Sequence, residues 1–397
     1  MMQEGQVTRK SIKEYAQAVK ERYHRGNKVE KTKILDEFTK TTGLHRKAVI
    51  RLLNRRHLIP GKKHGRPREY GALAVEALRL VWESSDRLCS KRLKPFLPEL
   101  IGVLRHCGES KMTIEIENQL CRMSVATIDR LLRPWKQNGG RHSFSTTKPG
   151  SLLRSAIPIR TFADWQENSP GFIEVDLVAH CGESLEGFYL NTLMAVDVAT
   201  GWSELTGVWG KGQQRVGAAV HHVRQNLPFP LLGLDSDNGS EFINQDLAGW
   251  CQLEGITFTR SRPYKKNDNC YVEQKNGSIV RRVIGRDRYR YSSKAAYATL
   301  NRIYYLLRLY VNFFQPTMKL VSKTRHGSKV YRLYDIAQTP YKRVLKSNIL
   351  SDTNIEELRT VYAHLNPVRL LKQINDNVES LWKLRERYPG EKTVSKI

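Results

Sequence analysis

A chain of 397 residues exceeds what one typical core holds, so two to four domains are expected, and 40% hydrophobic with 26% charged residues excludes wholesale disorder. Lys and Arg number 66 against 39 Asp and Glu, a net charge of +27, and an excess of that size answers to a polyanion. No stretch reaches the ~18 apolar residues of a membrane span, and the opening Met1-Met2-Gln3-Glu4 lacks a secretory layout, so nucleic acid is the leading partner and no membrane is expected.

Residues 1–60 read as basic and helical. Ile34 and Phe38 fall at helical spacing, Thr42-Gly43 breaks the pattern, and Leu44, Ala48, Leu52 and Leu53 resume it. Helix, glycine turn, helix is the layout of a helix-turn-helix, and also of an ordinary helical hairpin. The second helix would turn Arg46, Lys47, Arg51, Arg55 and Arg56 toward DNA. From Arg46 to Arg68 there are nine Lys or Arg and no acid. Residues 61–70 form a basic linker whose Gly65-Arg66-Pro67-Arg68 is similar to arms that thread Arg66 and Arg68 into a minor groove; a solvated linker is the alternative.

Residues 71–138 make a second helical region of helix-turn-helix type, with Ser124 capping a helix that carries Val125, Ile128, Leu131 and Leu132 on one side. Residues 139–161, rich in Gly, Ser, Thr, Pro and Arg, read as a linker. Within 162–290 the pattern alternates. Strands are predicted at 172–178, 187–195, 201–209, 231–236 and 256–260, with helices at 213–227, 244–253 and 269–284. Three strands, helix, strand, helix, strand, helix is the order of a ribonuclease H-like α/β core, a mixed five-stranded sheet with flanking helices. Residues 291–397 form a mixed basic C-terminal region. It begins with a helix at 293–314 interrupted by Arg308, passes through a short β segment near 318–333, and ends in helix at 354–388.

Three acids stand out. Asp176 shares one face of its strand with Glu174, and a carboxylate inside an apolar strand must be paired or hold a metal. Asp237 follows a strand and opens a tight Asp-Asn-Gly turn, at the strand end where α/β sheets hold ligands; Asp235 competes for the role from deeper in the strand. Glu273 sits at the edge of the apolar stripe Val272, Ile279 and Val283. Singly these are a paired strand acid, a turn acid and an exposed helix acid. Together they make an oxygen-rich set suited to two Mg²⁺, with Mn²⁺ as substitute. Lys275 and Arg282, seven apart, share another helix face that could meet DNA phosphates, as could Lys265 and Lys266 in the preceding loop. His180, His221 and His222 read as ordinary core or surface histidines, and Trp202, Trp209 and Trp250 as core. The six cysteines form no Cys-x-x-Cys pair, which argues against zinc or a disulfide framework and for a reducing cytoplasm.

Residues 172–177, Asp237-Asn238-Gly239-Ser240-Glu241-Phe242, and Arg262-Pro263-Tyr264 through Val272-Glu273 resemble the catalytic core of retroviral integrases and related bacterial insertion-sequence transposases. That family carries Asp, Asp, then Glu with thirty-five residues between the last two, and thirty-five lie between Asp237 and Glu273. The spacing selects Asp237 over Asp235. The resemblance implies that Asp176, Asp237 and Glu273 hold the divalent ions. It implies hydrolysis at element ends, then attack of the freed 3′-hydroxyl on target double-stranded DNA by a homo-oligomer, in a bacterium at the nucleoid. Asn238 and Gly239 would shape the turn, and Asn276 would face the same groove as Glu273. Residues 265–271 depart from the family's pattern, and no amino-terminal zinc module is present. A non-catalytic DNA-binding regulator and a nuclease that cuts without joining are the alternatives.

Overall fold

The computed structural model describes residues 8–55, 69–136, 169–262, 269–285 and 289–386. Contacts divide the chain into two compact units, Met1–Glu69 and Tyr70–Ile397.

The first unit holds α1 (Arg9–Arg25), α2 (Lys28–Thr42) and α3 (Arg46–Leu53). Asn27 caps α2 reciprocally with Glu30, and Gly43 ends it at φ 70°, a conformation that suits glycine. A small core of Ala16, Val19, Tyr23, Ile34, Leu35, Phe38, Val49 and Leu53 joins the three helices. The α2–turn–α3 pair predicted from the glycine break is therefore held by a third helix, α1, which the sequence pattern does not single out.

The second unit opens with α4 (Ala72–Ser84), α5 (Ser90–His106), α6 (Ile114–Arg122) and α7 (Val125–Leu132). Its sheet contains β1 (Phe172–Ala179), β2 (Asn191–Asp197), β3 (Ser203–Val208), β4 (Gly233–Ser236) and β5 (Thr257–Arg260) in the order β3-β2-β1-β4-β5. β1, β2 and β3 are antiparallel neighbours, and β4 and β5 run parallel to β1. With α8 (Gln213–Asn226), α9 (Gln245–Leu253) and α10 (Cys270–Lys275) between and after the strands, this is the ribonuclease H-like fold. Beyond α10 come a π-helical segment (Asn276–Val280) and a last turn, α11 (Arg281–Val283).

The chain continues through α12 (Lys294–Phe314), an exposed hairpin of β6 (Leu320–His326) and β7 (Lys329–Tyr334), and α13 (Pro340–Lys346), α14 (Asp352–His364) and α15 (Pro367–Lys383). α12 covers the edge strand β3. Asn312 accepts from Ser203 N–H and donates to Ser203 C=O, both at 2.8 Å, and Asn301 accepts from Gly207 N–H at 2.8 Å. An edge whose amides are taken up this way offers little to a foreign strand. Arg308, the interruption in an otherwise apolar run, forks onto the buried Glu204 of β3 at 2.6 and 2.8 Å.

Where the sequence suggests divisions at 138, 161 and 290, one hydrophobic core runs through α4–α7, the sheet, α12 and α15. Tyr310 donates to Ser84 C=O and Gln315 to Ser85 C=O, each at 2.9 Å, so the α4–α5 turn is fastened to the end of α12. Among the described residues no helix is long and apolar enough to cross a membrane.

His180 lies in the core. Its ring contacts Thr192 Oγ1 at 2.6 Å and the edge of Tyr291, and burial pushes its pKa down to about 4. A histidine held neutral in the fold but free to protonate when unfolded makes stability rise with pH, here between about 4 and the ordinary 6.5. Unfolding by urea at pH 4.5 and pH 7 should show this slope, up to about 3 kcal/mol, and His180→Asn should flatten it. Parallel pH profiles for the two proteins would contradict that role.

Candidate active site

The parallel register of β1 on β4 pairs Glu174 with Asp235 and Val175 with Ser236. One step further, it brings Asp176 level with Asp237, just past the end of β4. The turn that follows is fixed locally. Gly239 N–H donates to Asp237 Oδ1 at 2.9 Å, and a Cβ on Gly239 would lie 2.7 Å from the Glu241 carboxyl carbon. A side chain there would have to push the Glu241 carboxylate aside. Asn238, buried, donates to Ser261 C=O at 2.8 Å and accepts from Arg260 at 3.1 Å, which ties the turn to β5.

The two aspartates repel. Burial and then the charge of Asp237 push Asp176 up to about 8, although its surface keeps some solvent contact. Burial likewise pushes Asp237 up to about 6, with Glu241 adding to it. A pair of carboxylates so disposed accepts either a proton or a cation. Glu273 lies on α10, exposed, and its charge is felt by Asp176. Asn276, at the start of the π segment, donates to Asp176 Oδ2 at 2.7 Å, while its own Oδ1 is buried with no partner. The helix carrying Glu273 is thus joined to the strand carrying Asp176. Such π segments are frequently found at functional sites.

Two buried acids lie beneath, and the motif does not contain them as ligands. Asp235, the rival of Asp237, is 1% exposed and accepts a hydrogen bond from Thr259 of β5. Glu174 is fully buried and accepts from Val272 N–H at 2.9 Å, so it holds the first turn of α10 beside Glu273. Strand alternation puts Glu174 on the face of Asp176, but its contact with α10 has no signal in the sequence.

The basic residues fall in different settings. Lys47, Arg51 and Arg55 are exposed on and after α3, and Arg46 pairs with Asp36 of α2. Arg282 pairs with Asp86. Lys275 is only 8% exposed; its ammonium is pushed down to about 7 by burial and by the charges of Arg92 and Arg343. Arg56, Arg66, Arg68, Lys265 and Lys266 lie outside the described residues. Of the aromatic and histidine candidates, Trp202 is buried and donates to Glu204, and His221 packs on Trp250.

The donor set suits a hard divalent cation: half-buried, mutually repelling carboxylates with a buried amide oxygen of Asn276 left over. Among the described residues no three acidic, His or Cys side chains converge closely enough to hold an ion as they stand, while Asp176 feels the charges of both Asp237 and Glu273.

No protein-family model matches the chain. It is 31% identical over 91 residues to the Pro-Pol polyprotein of Feline foamy virus, covering 23% of this chain and 8% of the polyprotein. The catalytic core of BIV integrase superposes at TM-score 0.30 and 19% identity over 45% of this chain and 95% of that one. The HTLV-2 integrase core, solved in complex with magnesium, gives 0.24 and 19% over 29% and 71%. Superpositions that loose carry no argument, and the fold rests on the strand order above. The uncharacterized protein y4rM of Sinorhizobium fredii is 42% identical over 333 residues, 83% of this chain and 94% of that protein. The chain belongs to the family of that protein.

Proposed function

We propose that this protein is a DNA transposase of the integrase type, cutting and joining DNA at a divalent-metal centre formed by Asp176, Asp237 and Glu273. The observation that carries the reading is the meeting of Asp176, in the middle of β1, with Asp237, just past the end of the neighbouring β4, raised in pKa by burial and by Asp176's nearness to Asp237, with Asn276 bonding the Glu273 helix to Asp176. The spacing of thirty-five residues and the partial identity to a retroviral polyprotein lend support.

When bound, two Mg²⁺ or Mn²⁺ would polarise the attacked phosphate and stabilise the attacking and leaving oxygens. The protein's part is to supply and fix the ligands. Asp176 and Asp237 are held by the sheet and by the Gly239 turn. Glu273 would complete the set from an α10 whose first turn is anchored by Glu174. Asn276 keeps the Asp176 carboxylate aimed along the groove.

Double-stranded DNA fits the charge of +27 and the cations placed outward. The β6–β7 hairpin sets Lys323 directly opposite Arg332, with Arg325 on the same face, all exposed. Like charges across a two-stranded ribbon destabilise it unless a polyanion lies on them. Lys47 and Arg51 on α3 offer a second such surface, suited to a recognition helix. Element ends would be read by the first unit, and joining two of them would require a homo-oligomer.

A strand-transfer assay tests the proposal, with Mg²⁺ or Mn²⁺ and DNA from the ends of the genomic segment encoding the protein. Joined products from the wild type and none from Asp237→Asn are expected. Cleavage without joining would make the protein a nuclease, and binding without metal-dependent chemistry would make it a regulator.

A further inference from the structure

Opposite the acid cluster, on the other side of α10, lies a cavity of about 740 Å³ walled by the α4–α5 turn, α10 with its π segment, and the end of α12. Its size falls within the range of about 300–1,000 Å³ typical of small-molecule sites. The charged residues lining it are Arg87, Arg92, Lys275, Arg282 and Lys319 against the single carboxylate of Asp86. That carboxylate is already committed to Arg282. Lys319 Nζ donates to Ala199 C=O at 2.6 Å, and Arg87 lies over the ring of Trp82.

Two cations have no ion-pair partner among the described residues. Arg92 donates to the neutral oxygens of Pro316 and Gln315, at 2.5 and 3.4 Å, and feels Asp86, which is paired with Arg282, only at longer range. Lys275 has neither a hydrogen-bond nor an ion-pair partner among the described residues, though it is 92% buried, taken from its 8% exposure. The charges acting on it are those of Arg92 and Arg343, both positive. Arg343 is itself engaged, with Asp335 and with Thr317 C=O. Burying an ammonium beside guanidinium groups with no anion is unfavourable, so Lys275 either gives up its proton or is paired with an anion in the cavity.

We infer that this cavity is a binding site for a small phosphate-bearing anion, held by Lys275 and Arg92. Phosphate matches the donors: the guanidinium forks onto two oxygens and the ammonium acts as a point charge on a third. A free small molecule is the occupant rather than a strand of DNA, because Lys275 is only 8% exposed and lies within a cavity rather than on an open face. Lys275 is two residues, about 200° of helix, from Glu273, so an anion here would stiffen α10 from behind without entering the acid cluster. The cavity's charges call for an anion whether or not the acid cluster acts on DNA.

Inorganic triphosphate is the probe, added to the full-length protein at fixed ionic strength and followed by calorimetry and thermal midpoint. The wild type should bind it and gain thermal stability; Lys275→Met and Arg92→Gln should each weaken binding about tenfold or more. Circular dichroism checks that each variant is folded, and either variant suffices if the other is not. No binding by the wild type, or equal binding by folded variants, would overturn the site. A second arm repeats the titration with the protein saturated by a 30-base-pair duplex. Undiminished binding supports a free anion as the occupant. Competitive loss of binding would assign the pocket to DNA phosphates and overturn that part of the inference, and this arm is read without any cleavage or joining activity.

Discussion

Replacing Glu273 with Gln should slow strand cleavage about a thousandfold or more while DNA affinity changes little. The substitution keeps the size of the side chain and removes only its charge. Glu273 is exposed on α10, where substitutions cost little stability. A metal centre contributes several kcal/mol to stabilising charge in the transition state, and about 4 kcal/mol corresponds to roughly a thousandfold in rate. Single-turnover cleavage of a labelled element end measures the first quantity, and a gel-shift titration the second. Cleavage within about tenfold of wild type would remove Glu273 from the chemistry. Joint loss of cleavage and binding would instead give it a structural part.

Arg308→Met should destabilise the larger unit by about 3–5 kcal/mol. Glu204 is buried, and its carboxylate is satisfied by both arms of the Arg308 fork and by Trp202 Nε1 at 2.8 Å. Burial already raises the pKa of Glu204 despite that pairing, so a carboxylate left without Arg308 takes up a proton or unfolds its surroundings. Arg308 also donates to Asn226 C=O at 2.9 Å, so the end of α8 loosens with it. The double change Glu204→Gln with Arg308→Met should recover most of the loss, because no buried charge is then stranded. Urea unfolding of the three proteins checks both statements. An Arg308→Met protein within about 1 kcal/mol of wild type would mean that the pair adds nothing beyond its own desolvation.

The sheet was legible because its strands are short apolar runs punctuated by turns, and each predicted strand and helix of the core has its counterpart within a few residues. In the proposed site, the family's spacing to Glu273 favours Asp237 over Asp235, and the structure gives Asp235 a buried partner in Thr259. Other features depend on residues distant in sequence. Lys275 reads as a surface cation, yet the α4–α5 turn, almost two hundred residues earlier, folds over it. Glu174 reads as a neighbour of Asp176, yet it holds the backbone of Val272. α5 contains Pro95 and Pro98, which local rules treat as helix breakers, and burial of Leu93, Phe96, Leu97, Leu100 and Leu104 outweighs them. The π segment at Asn276 follows no periodicity that a sequence displays.

Anomalous diffraction from crystals soaked in Mn²⁺ shows whether Asp176, Asp237 and Glu273 form one divalent-metal centre. Mn²⁺ is expected between Asp176 and Asp237, with Glu273 completing the ligands, and no such peak in Asp237→Asn crystals. Mn²⁺ bound elsewhere, or a peak at this position that persists in the Asp237→Asn protein, would contradict it.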